Sequence, residues 1–367
     1  MIRLAEATKA VFRHRRPEPW CWAVVVKAAC DGTHTSWDVD QAVSQAGPAV
    51  SAHADLIAES LGRGSVYRDN VLALALAGMG DVRALPALRR LADDNRLPGD
   101  RPRVHILAAL PAAELLPVVR PVLRRDPERT ALLELLALWG PAAAPAVPEV
   151  MRVMDTPYAY DALRALGRIG PPAAVAADRL AAYATGRDPG AGRPHTRLAA
   201  WAHWKVTGDP TLALDVCAAA VRSGTASHGL PFLADLGPLA AAHADPVLHM
   251  TESAGAWTRV AAAHAYWRIT GDPAPAIPVL LAEVDPAWTG SPSMPVREAV
   301  HRLGEMGAPA GSAASLLRGL LAQEERLSRP FAGVRILADQ AYVRTLTEAL
   351  ERIAPGDEAA PLRRWWK

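Results

Sequence analysis

The sequence predicts an all-α fold, an α-solenoid of about nine stacked helical hairpins, and three observations predict it. Half of the 367 residues are hydrophobic but only 5% are aromatic, so small aliphatic side chains build the core. Ala and Leu dominate that set, and both favour helix. Glycine turns recur at Gly47, Gly80, Gly140, Gly170, Gly208, Gly237, Gly271 and Gly307, which is the spacing of a structural repeat of about thirty residues. Around each turn, apolar residues keep helical spacing, as Leu85, Leu88 and Leu91 do.

The elements are taken in chain order. Residues 1–40 do not fit the repeat and are expected to form an atypical helical cap over the first hairpin, with the repeats occupying 41–356 and a tail 357–367. The clearest unit, "NVLALALAGMGDVRALPALRRLADD" (Asn70 to Asp94), reads as helix A, a Gly-Asp turn and helix B. The next, "HILAALPAAELLPVVRPVLRRDP", places Pro111 where the glycine would stand. The same grammar returns at 131–155 and 161–184, then twice with a Thr-Gly-Asp-Pro turn, in "HWKVTGDPTLALDVCAAAV" and "HAYWRITGDPAPAIPVLLAEV". It continues after Gly237, in Val296–Glu325, and degenerately near Gly356. In the TGDP turns, Gly271 is expected in the left-handed region, Asp272 as a cap of helix B and Pro273 in its first turn. Three links between a B helix and the next A helix are long: 187–195, 285–295 and 325–335. All should emerge on one edge of the array.

The units "GDVRALPALRRLADD" and "VREAVHRLGEMG" resemble HEAT repeats, in particular the short HEAT-like repeats of phycobilisome lyases. Val-Arg opens a helix, Leu-Gly precedes the turn, and Pro-x-Leu falls in helix B. The resemblance covers roughly 40–356. It implies a right-handed solenoid whose B helices line the concave face, used as a scaffold or adaptor, and it implies no activity.

Composition narrows the function classes. A formal charge of +2 is weak for a nucleic-acid binder. Splitting the chain does not change this: residues 1–130 carry 18 basic and 15 acidic side chains, and the remainder 22 and 23. Arg far outnumbers Lys, which occurs only at Lys9, Lys27, Lys205 and Lys367; this resembles high-GC bacterial coding and discounts arginine enrichment as a signal. Cys21, Cys30 and Cys217 form no CxxC motif and read as free thiols of a reducing compartment. Neither a signal peptide nor a transmembrane segment is expected, so the expected location is cytoplasmic.

No Walker, GxGxxG, HExxH or GxSxG motif is present, and "LGRGSVY" lacks the lysine of a phosphate loop. His243 and His249 lie six apart, on opposite sides of a helix, which does not suit a metal. No catalytic residue, metal or cofactor is expected. His203 and His264, beside their aromatic pairs, read as partly buried and hydrogen-bonded. Trp139, Trp204 and Trp267 share a position before the turn and read as packing between A helices. Trp20, Trp22, Trp37, Trp257 and Trp288 lie nearer loops or helix ends, where an exposed aromatic anchors partners.

Ten arginines fall between Arg83 and Arg129 against six acids. Arg89, Arg120 and Arg179 recur about nine residues after their turns, and with Arg124 they read either as a phosphate-facing stripe or as ion pairs between repeats. The expected partner is a protein, bound through the concave face or the long-link edge, with Arg89, Arg120, Arg124, Arg179, Trp257 and Trp288 as binding residues. Two alternatives stand beside it. One is a nucleic-acid or DNA-repair solenoid like the alkylpurine glycosylases, and the other is an enzyme of unfamiliar type. The tail "PLRRWWK" suits a cap on the last repeat or an interface.

Overall fold

A computed structural model describes residues 2–32, 36–97, 100–187, 195–222, 229–328 and 334–355. The tail 361–367, the turn at Gly356 and most of the link 187–195 lie outside them. All regular elements among the described residues are helical, with no strand. The chain divides into two compact units, Met1–Leu212 and Ala213–Lys367.

The first unit opens with α1 (Ile2–Arg13), α2 (Pro19–Asp31) and α3 (Trp37–Gln45). The expected boundary at residue 40 falls inside α3, and α2 packs on both α1 and α3. Next come α4 (Ala54–Ser60), α5 (Val66–Gly78), α6 (Leu85–Asp93), α7 (Arg101–Leu107), α8 (Ala112–Arg125) and α9 (Thr130–Trp139). The unit closes with α10 (Val147–Val153), α11 (Ala159–Ile169), α12 (Ala177–Ala184) and α13 (Thr196–Thr207). From α3 to α13 each odd-numbered helix packs on the next odd one, while α6 packs on α8 and α8 on α10. The result is two layers with the core between them. In α5 the whole run Val71–Ala77 is buried, because small side chains let neighbours approach from several sides. Toward the end of the unit, α11 is one-sided, burying Ala162, Leu163, Leu166 and Ile169.

The second unit contains α14 (Thr211–Arg222), whose first two residues belong to the first unit, then α15 (Leu230–Leu236), α16 (Ala244–His249) and α17 (Ala256–Thr270). It ends with α18 (Ala276–Ala282), α19 (Val296–Met306), α20 (Ala314–Ala322) and α21 (Arg335–Ile353). Here α15, α17, α19 and α21 pack in turn, and α18 and α20 lean on α19 and α21. Gly304 of α19 marks the closest approach. A Cβ there would lie 2.7 Å from Ala349 Cα on α21.

All eight turn glycines have positive φ, but they form two kinds of bend. Gly271 (φ 76°, ψ −4°) and Gly208 are left-handed caps. The Thr before each glycine accepts from the Asp N–H at 3.1 Å, and Asp272 Oδ1 accepts from Ala274 N at 2.9 Å. Helix α18 begins only at Ala276, so Pro273 precedes it in the turn rather than opening it. Gly140 (φ 56°, ψ −129°) stands for the second kind, in a region closed to residues with a Cβ. After it the chain runs through a 3-10 segment, Gly140–Ala146, before α10. Pro141 and Pro145 withhold N–H donors there, so helix B starts later and is shorter than its sequence pattern suggests. Several turns also lie against the end of the following A helix: a Cβ on Gly140 would sit 3.4 Å from Arg168 O, and one on Gly237 3.3 Å from Arg268 O, whereas one on Gly208 or Gly271 meets nothing within 4 Å.

The run Thr130–Val153 has the length and composition of a membrane span. It bends at Gly140, however, and 61% of its most apolar window is buried within the protein.

Candidate functional site

Most of the predicted arginines hold helices to one another. Arg120 Nε on α8 donates to both Glu149 oxygens at 3.2 Å, and Arg124 adds a bond to Oε1, also at 3.2 Å. Glu149 on α10 is 4% exposed, so its charge is compensated within the protein. On α12, Arg179 donates to Met151 O at 3.0 Å and pairs with Asp155, tying α12 to the end of α10. Neighbours do the same: Arg125 reaches Ala92 O at 2.5 Å and Arg129 reaches Leu97 O at 2.8 Å. Arg89 alone of the four predicted arginines is exposed on α6 with no ion-pair partner among the described residues. A phosphate-facing stripe is therefore not assembled, since three of its four members are committed to carboxylates or carbonyls one helix away.

A second polar cluster, unmarked in the sequence except for its histidines, lies between α17 and α19. Aligning the two TGDP turns places His264 in register with Trp201, not with His203. Trp201 is buried over Gly167 of α11, whose missing Cβ makes room for the ring. At the matching place in the second unit, His264 Nε2 stands 3.2 Å from Glu305 Oε2. Arg302 pairs with Glu298 and Glu305, each at 2.6 Å, and His301 approaches Glu305 at 3.7 Å. Burial pushes the His264 pKa below its ordinary value, against the pull of Glu305. Burial also favours a neutral Glu305, but the hydrogen bonds from His264 and Arg302 outweigh it and hold that carboxyl at about 2. Arg302 supplies the positive charge facing Glu298 and Glu305, and His264 adds a hydrogen bond to Glu305. No nucleophile among the described contacts reaches His264, so the cluster reads as a structural pair of helices pinned together.

The aromatics separate into buried and edge classes. Trp22 is 6% exposed and belongs to the core, contrary to its expected place at a helix end. Trp267 packs against the second unit's core. Trp204 is only half-buried and carries Lys205 Nζ at 4.3 Å from its ring centre, so packing between A helices falls to Trp201 instead. At helix starts, Trp37, Tyr67, Tyr160 and Trp257 are exposed by 57, 53, 46 and 52%. Each is the first or second residue of its helix, α3, α5, α11 or α17. Helical side chains tilt toward the N-terminus, so a large ring at that position overhangs the helix end with no preceding turn to cover it. Tyr67 and Tyr160 carried no sequence signal beyond that placement.

Trp288 lies in the long link between α18 and α19. Its Nε1 donates to Ser291 O at 2.9 Å, and its ring meets Tyr342 of α21 edge-on at 5.0 Å. It borders a cavity of about 360 Å³.

No group of three His, Cys, Asp or Glu among the described residues has the arrangement of a metal site. His243 is the residue that precedes α16 and His249 is the last residue of that helix. The three cysteines are buried and none is in a disulfide. Burial raises the pKa of both Cys21 and Cys30, which keeps those thiols protonated and unreactive. No protein-family model matches the chain, and no curated protein matches it.

Proposed function

We propose that the chain is an α-solenoid of HEAT-like hairpins that serves as a scaffold, each unit binding a protein partner through aromatic residues at the starts of its A helices. The observation that carries this reading is the set of half-exposed aromatics Trp37, Tyr67, Tyr160 and Trp257, all at helix starts. Large rings left in water are costly to a protein that gains nothing from them. At interfaces, Trp and Tyr supply most of the energetic anchors. The recurring glycine turns and the two-layer packing within each unit support the solenoid part of the proposal. The commitment of Arg120, Arg124 and Arg179 to partners inside the protein speaks against a nucleic-acid groove.

The test is a partner identified by proximity crosslinking and remeasured with purified components. Trp257→Ala and Tyr67→Ala should each weaken its binding by roughly tenfold or more, with melting unchanged. Unaltered affinity in Trp37→Ala, Tyr67→Ala, Tyr160→Ala and Trp257→Ala together would overturn the reading.

A further inference from the structure

We draw no further inference here: the strongest candidate, the Arg68 guanidinium seated between Gly32 and Gly64 at the start of α5, is a single partly buried cation at a helix N-terminus, and nothing in the structure shows what covers it.

Discussion

Replacing Gly304 by Ala sets two effects against each other, and the structure decides which wins. Ala is the better helix former by about 1 kcal/mol at an interior position. At Gly304 the new Cβ would meet Ala349 Cα at 2.7 Å and its Cβ at 2.8 Å. Both are atoms fixed to the α21 backbone, so no side chain can swing aside. Reaching an ordinary contact of 3.4 Å requires α19 and α21 to part by about 0.7 Å. That parting loosens Leu303 against Leu346 and Leu350 in the same core. Overpacking of this kind costs roughly 2–3 kcal/mol, so the net loss after the propensity gain is about 1–2 kcal/mol. In a unit of this size, that lowers the melting temperature by roughly 3–6 °C. Gly319 on α20 is the internal comparison, since a Cβ there meets nothing within 4 Å. Gly319→Ala should therefore raise the melting temperature slightly. Calorimetric melting of the two variants beside the parent chain tests the pair. A Gly304→Ala chain that melts at or above the parent would refute the argument that close helix approach, rather than helix propensity, governs this glycine.

The polar contacts yield two further outcomes. Glu305 has a folded pKa of about 2, below its ordinary 4.5, so it stabilises the fold above pH 4.5 by about 3 kcal/mol, an amount lost as pH falls toward 2. His264, depressed by burial, acts in the same direction from its ordinary 6.5 downward; urea unfolding across pH should show the loss, and Glu305→Gln should flatten its lower part. Arg120→Ala and Arg124→Ala should each cost about 1 kcal/mol, since the other arginine still faces Glu149. Together they should cost more than their sum, because the buried carboxylate is then stranded. Denaturant midpoints of the singles, the double, and the double with Glu149→Gln, which should recover part of the loss, check this.

Local conformation is legible in the sequence, and contacts one repeat away are not. A glycine between two apolar helical stretches declares a positive φ without knowledge of its neighbours, and all eight turn glycines have one. Whether the bend is the Gly271 or the Gly140 type depends on the residues after the glycine: Asp-Pro closes an Asp-capped turn, whereas Pro-Ala-Ala leads into a 3-10 segment. The arginines behave differently. Arg120 and Glu149 are 29 residues apart, a distance at which spacing alone cannot distinguish a stripe facing phosphate from a pair joining helices. The sequence is compatible with both, and the geometry selects the pair for Arg120, Arg124 and Arg179. The His264 cluster is hidden for a related reason, since Arg302 and Glu305 belong to the next helix of the same layer. Aligning the TGDP turns exposes His264 as the odd residue at a position where Trp201 is core. The edge aromatics Tyr67 and Tyr160 escape a reading by pattern because their exposure comes from standing at a helix start, and helix starts are the least certain part of any sequence reading.

The contact between the turns at Gly140 and Gly237 and the end of the following A helix sets where extra residues are tolerated. At Gly140 and Gly237 the turn is wedged against a neighbour's carbonyl, so a single inserted residue must displace the next hairpin as well as its own. A connection from B helix to A helix is accommodated at a length such as 285–295. Tags, reporter peptides or grafted binding loops should be accepted in the 285–295 link and rejected at the Gly140 and Gly237 turns.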